Sequence, residues 1–140
     1  MKARDGGCVM SANSAGLQTL SQKRAKHAWN VVERLQKNDI ETFASEAKKF
    51  PLRIRNAGLL QCIAFMMAKS KGLSVLNEVQ DWLKVSGLVV GVELRALLLE
   101  SDSKLLRLVT QEAIAYLEWL VRFSEARKKE IEANAKSVAG

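Results

Sequence analysis

The side chains able to take part in chemistry are few and scattered. His27 is the single histidine, and it sits among Lys23, Lys26 and Asn30. A nucleophile–histidine–acid arrangement needs the imidazole in a cleft between a nucleophile and an orienting carboxylate. On a basic helical face a lone histidine is expected to be solvated instead. Cys8 and Cys62 are the two cysteines. They are too few for a disulfide framework or a four-ligand zinc centre, and Cys62, inside an apolar run, reads as a small buried hydrophobe. Glu112 and Glu118 lie six positions apart on one helical pattern, so they point to different sides and make no acid–base pair. Gly87-Leu88-Val89-Val90-Gly91 lacks the Lys-Ser/Thr that would make it a phosphate loop. The chain is therefore read as a non-enzyme, with no catalytic residue, no metal ligands and no cofactor.

Positive charge is the other chemistry available. The 140 residues carry a net charge of +7, unevenly placed. Residues 1–71 hold 13 Lys/Arg against 5 Asp/Glu, and residues 72–140 hold 9 against 10. An excess confined to one half points to a polyanion on one side of the molecule. Lys23, Arg24, Lys48, Lys49, Arg53 and Arg55 are the candidate phosphate contacts, each able to release a counterion. No aromatic residue interleaves with them on the exposed faces. Backbone contact without base stacking is therefore expected.

These residues must be positioned by helices. Pro51 is the only proline, and long stretches run without a breaker, which argues against the many turns of a β domain. Residues 1–18 are Gly- and Ser-rich without periodicity and read as a flexible arm. Residues 19–140 form one domain, an all-α bundle of five to six helices, long enough to bury roughly 68–70% of its unfolded surface. Apolar spacing predicts a first helix over 20–37, capped by Thr19 or Ser21, and a second over 40–50 with Asp39 at its start. Pro51 is expected to open a third helix, apolar nearly all round and so buried, with Gly58 in its middle allowing close approach of another backbone. Further helices are expected over 74–85 and 93–99, joined by Leu88-Val89-Val90 as a buried connection. The last and longest begins after a cap at Ser101 or Asp102 and runs to about Ala135, projecting or fraying beyond Arg127. On it Arg122 is expected to pair with Glu118, and Trp119 to belong to the core. No apolar run approaches the ~20 residues of a membrane span, and Gly6-Gly7-Cys8 has no apolar leader before it, so a cytoplasmic location without membrane contact is expected.

Two blocks add a resemblance. One is Ala47-Lys48-Lys49-Phe50-Pro51-Leu52-Arg53-Ile54-Arg55-Asn56-Ala57-Gly58-Leu59-Leu60-Gln61-Cys62-Ile63-Ala64-Phe65. The other runs from Leu106 to Ala126, with Thr110, Glu112, Glu118-Trp119-Leu120, Arg122-Phe123 and Ala126. In order, they resemble the two most characteristic blocks of the small-subunit family of Cmr-type (type III-B) CRISPR RNA-targeting complexes. The arm has no counterpart in that family, and nothing carries over between Gly72 and Asp102. The resemblance implies a helical bundle without enzymatic activity that stacks in several copies beside the repeating backbone subunit, close to the CRISPR RNA and target RNA. Base pairing would supply sequence specificity while protein reads backbone and shape. Lys48, Lys49, Arg53 and Arg55 lie in the matching block; Lys23 and Arg24 rest on charge clustering alone. A Csm-type (type III-A) small subunit shares the role and a helical build. A helix-turn-helix DNA-binding regulator fits poorly, because the helix after Gly72 is acidic and apolar where a recognition helix needs base-reading polar residues.

Overall fold

A computed structural model describes residues 17–139; the expected arm, with Cys8, lies almost wholly outside them. The chain forms an all-α bundle of six helices: α1 (Leu20–Glu33), α2 (Lys37–Ala57), α3 (Leu59–Lys69), α4 (Leu73–Val85), α5 (Leu94–Glu100) and α6 (Ser103–Ala139). The long α6 is the post against which α1, α2 and α4 pack, while α3 lies on α2 and carries α5. Val109, Ala113, Tyr116, Leu117 and Leu120 recur every three or four positions on α6 and are fully buried. They meet Phe43, Ala47, Phe50 and Ile54 of α2, Ala28 and Val32 of α1, and Val79, Trp82 and Leu83 of α4 in one core.

The helix starts follow local capping. Thr19 accepts from the Gln22 backbone N–H at 3.1 Å, while the Gln22 side chain accepts from the Thr19 N–H at 2.8 Å, a reciprocal capping box. Asp102 accepts from the Leu105 N–H at 2.8 Å and so starts α6. Asp39 does not cap α2. Gln36 holds that position in extended conformation, and Asp39 lies in the first turn. The first helix ends at Glu33 rather than Lys37, because Leu35 leaves it to pack on the core near Arg127 and Ile131.

The break expected at Pro51 comes at Gly58. Pro51 sits inside α2, where its missing N–H leaves one helical hydrogen bond unmade. Its neighbours Ala47, Phe50 and Ile54 are all buried, and that continuous apolar face outweighs the local loss. Gly58 adopts φ +88° and ψ 158°, which only glycine tolerates readily, and redirects the chain into α3. A Cβ there would meet no atom within 4 Å, so backbone conformation, not close approach, demands the glycine.

Three further expectations change. The α3 helix is not buried all round: Leu59, Cys62, Ile63 and Met66 face inward, whereas Phe65 and Met67 are exposed. In the α4–α5 connection Val89 is buried but Val90 is 75% exposed. The end of α6 does not fray: it stays helical to Ala139, and Ile131 and Ala135 line a cavity together with Lys37 and Ile40 at the start of α2.

Candidate nucleic-acid interface

The densest group of cations is built around a buried carboxylate. Glu46 and Arg53 lie two turns apart on α2, with Lys49 between them. The Lys49 ammonium donates to Glu46 Oε2 at 3.2 Å, and the Arg53 guanidinium stands 3.6 Å from Oε1. Glu46 is only 3% exposed, and Oε1 has no hydrogen-bond partner. Burial pushes the Glu46 carboxyl up. The Lys49 bond and the charges of Lys49, Lys69 and Arg53 more than reverse that, so it titrates below the ordinary carboxylate value. Lys69 enters from the end of α3, where Phe65 precedes it by one turn. The Arg53 guanidinium carbon sits 4.7 Å from the Phe65 ring centre and Lys69 Nζ 5.5 Å from it, both within cation–π range. Arg53 also points an N–H at the Met66 sulfur, 3.2 Å away.

A second polar group, on α1, α4 and α6, points inward. Arg24 grips Glu112 with two bonds, Nε to Oε2 at 2.5 Å and Nη2 to Oε1 at 2.8 Å, and Trp82 Nε1–H donates to the same Oε2 at 2.9 Å. Burial raises the Glu112 carboxyl, but the Arg24 and Trp82 bonds outweigh it and hold the group below its usual range. The bond to Glu112, against a smaller effect of burial, raises the Arg24 guanidinium in turn. His27 is not solvated as expected. One ring nitrogen lies 2.6 Å from the Tyr116 hydroxyl and the other 2.7 Å from Asp81. The ring also packs edge-on against Trp82 and Tyr116.

This Asp81–His27–Tyr116 line has the spacing of a proton relay, yet Tyr116 is fully buried and no reactant can reach its oxygen. Burial, with the Glu78 and Asp81 charges, pushes the phenol far above its ordinary value, so it stays protonated. The line therefore ties three helices together. Cys62 is similarly inert, its thiol pushed up to about 11 by burial against the Arg53 charge. Among the described residues no group of three or more His, Cys, Asp or Glu stands ready for a metal ion.

The six candidate cations thus have distinct surroundings. Lys49 and Arg53 meet at Glu46, with Lys48 exposed on the same stretch of α2. Arg55 faces Glu118 at 3.7 Å, both more than half exposed; Glu118 therefore pairs across to α2 rather than with Arg122. Lys23 is exposed on α1 beside Lys26 and Asn30, at the rim of a cavity of about 340 Å³. Arg24, one residue on, has its charge answered by Glu112. Sequence reasoning missed Lys69, Phe65 and Glu46. The Glu46, Lys49 and Arg53 spacing of three and seven was a usable signal for one shared face of α2. Nothing local announces that Phe65 and Lys69 of α3 reach it. The expectation that no exposed aromatic accompanies the cations fails at Phe65, which is 48% exposed.

The family model described as CRISPR-associated protein (Cas_Cmr5) matches residues 20–127. The matched stretch opens at the first residue of α1, contains the Glu46 cluster and the Arg24–Glu112 network, and runs deep into α6. This displaces the Csm-type and helix-turn-helix readings. The match spans most of the chain and carries the whole basic face, and on that ground the protein belongs to the CRISPR-associated family of small subunits of the type III-B Cmr complex.

Proposed function

We propose that this chain is a non-catalytic structural subunit of a Cmr complex in the cytoplasm, standing beside the repeating backbone subunit and further copies of itself, with the basic face of α2 and α3 toward the guide–target RNA duplex. The observation that carries this reading is the gathering of Lys49, Arg53 and Lys69 on one carboxylate, with Lys48 and Lys71 exposed nearby in sequence. Three cations around one anion leave a local positive excess, and Glu46 holds Lys49 and Arg53 in place. Such a surface suits phosphate oxygens and is indifferent to sequence. Lys23 on α1 and Arg55 beside Glu118 are separate cations offered to the same RNA, and Arg24 fixes α1 to α6. The exposed apolar side chains Met67 and Leu99, which with Leu60 and Ala64 line a groove of about 520 Å³, suit protein neighbours.

The test is equilibrium binding of the full chain to a duplex RNA at several salt concentrations. Affinity is expected to fall linearly on a log–log plot of binding against salt. Lys48→Ala combined with Lys49→Ala should flatten the slope by roughly 2, about 1 for each phosphate that a lysine no longer neutralises. Binding that ignores salt and both lysines would overturn the reading, as would equal chemical labelling of Lys48, Lys49 and Lys69 in the assembled complex with and without RNA.

A further inference from the structure

Phe65 is out of place on a face otherwise built from charge. A phenylalanine that is 48% exposed leaves apolar surface in water, although α3 has a buried side on which Cys62 and Met66 sit. Its ring lies 4.7 Å from the Arg53 guanidinium and 5.5 Å from Lys69 Nζ. Arg53 lies over the ring while paired with Glu46, and Lys69 Nζ lies over it as well, yet Phe65 keeps nearly half of its surface exposed. Resting on the reading of this face as an RNA surface, we propose that Phe65 is a stacking platform for one unpaired RNA base, with the phosphates on either side of that nucleotide taken by Lys49 and Lys69.

The surroundings favour a nucleotide over a protein side chain. A hydrophobic partner docking on Phe65 would strip water from Arg53 and Lys69 and offer nothing in return. A nucleotide brings a flat π face and a negative phosphate together, which are the two things the ring and its flanking cations complement. The apolar groove of α3, lined by Leu60, Ala64 and Met67, turns instead toward Arg95 and Leu99 of α5. The helix therefore separates an apolar side from a cationic-aromatic one. Glu46 is a positioning residue here: its buried carboxylate fixes Lys49 and Arg53 and touches no RNA.

The experiment compares a single-stranded 12-nucleotide RNA with its duplex, on the full chain and on Phe65→Leu, Phe65→Trp and a Lys49→Ala/Lys69→Ala double variant. Leucine keeps the apolar bulk and removes the π face. Phe65→Leu is expected to weaken single-strand binding on the order of tenfold while leaving the salt slope and duplex binding unchanged. Phe65→Trp should bind single strands at least as well as the wild type. Photocrosslinking with a 4-thiouridine-bearing strand should label Phe65. The lysine double variant should weaken both RNAs and flatten both slopes. If wild type and Phe65→Leu bind single strands equally, with salt dependence intact, the stacking proposal fails and the RNA-face reading stands. Equal loss on single strand and duplex would also overturn it, since the ring would then serve only to hold Arg53. So would unchanged RNA binding with reduced incorporation into a Cmr complex, the result expected of a protein contact. No binding of either RNA by the wild type sinks both readings.

Discussion

Glu112 lies where three helices meet. It takes two bonds from Arg24 of α1 and one from Trp82 of α4, while its own backbone belongs to α6. The side chains of Arg24 and Glu112 are 19% and 10% exposed, so removing either leaves a largely buried charge without a partner. Glu112→Ala is expected to cost about 2–4 kcal/mol in chemical denaturation. The double change Arg24→Met with Glu112→Leu should recover part of that loss, because it removes both charges and keeps the volume, while the Trp82 N–H is left without its acceptor. Arg55→Ala, which breaks an exposed pair, should cost less than about 1 kcal/mol. The pH dependence follows from the same carboxylate. Its folded pKa lies below the unfolded value of about 4.3. Its contribution is therefore complete above about pH 4.3 and is lost as pH falls through the folded value. Glu78 acts oppositely. Burial raises it, with Asp81 adding and Arg34 and His27 opposing, so the fold favours its protonated form and part of the acid loss is offset. Stability measured from about pH 5 down to about pH 3 should fall, and fall less steeply in the Arg24→Met/Glu112→Leu variant. This network was invisible in the sequence, because Arg24 and Glu112 are 88 positions apart and only α6 packing on α1 brings them together. Counting Arg24 among the cations registered its charge but not its partner, and the polar neighbours of His27 concealed the inward turn of its ring.

At the scale of elements, the apolar periodicity carried most of the fold: the helical class, the buried faces of α1, α4 and α6, and the starts at Thr19 and Asp102 were legible. Breaks were less so, because a break is decided by competition between local conformation and tertiary packing. Pro51 carries the stronger local signal but lies within an unbroken buried stripe, and Gly58 takes the turn. Gly58→Ala isolates the backbone cost, since its new Cβ touches nothing. It should destabilise by about 1–3 kcal/mol through the positive φ alone. Ser70 is the converse case. It has φ +66°, and the Lys71 N–H reaches the Lys69 carbonyl at 2.9 Å across it, a strained three-residue turn between α3 and α4. Ser70→Gly should gain about 1 kcal/mol, relief of the strain exceeding the added freedom of the unfolded chain. Thermal unfolding of both variants should therefore move in opposite directions. Two falling melting temperatures would mean that the Ser70 hydroxyl contributes something the turn geometry does not show.

Across the whole molecule the bundle is held by one continuous post, and that post is longer than the family match. The match ends at residue 127, whereas α6 continues to Ala139. Sequence alone made this last stretch look detached, because charges crowd it: Arg127, Lys128, Lys129, Glu130, Glu132 and Lys136. Ile131 and Ala135 were too sparse a pattern to read as a packed face. In the structure they share cavities with Lys37 and Ile40 and with Leu35, so the tail runs beside the corner between α1 and α2. Ile40 is only 3% exposed with the tail in place. Ending the chain after Arg127 should uncover that corner and cost about 1–3 kcal/mol, the value of one or two aliphatic side chains returned to water. The measurement is thermal unfolding of the truncated and full chains in parallel, with Ile131→Ser in the full chain as a third sample. If the corner is what the tail protects, Ile131→Ser should account for much of the truncation loss while leaving the charges of the tail unchanged. An unaltered melting temperature on truncation would show that the charged end of α6 contributes nothing to the fold. The basic face of α2, whose first turn shares a cavity with that tail, would then be held by α3 and the middle of α6 alone.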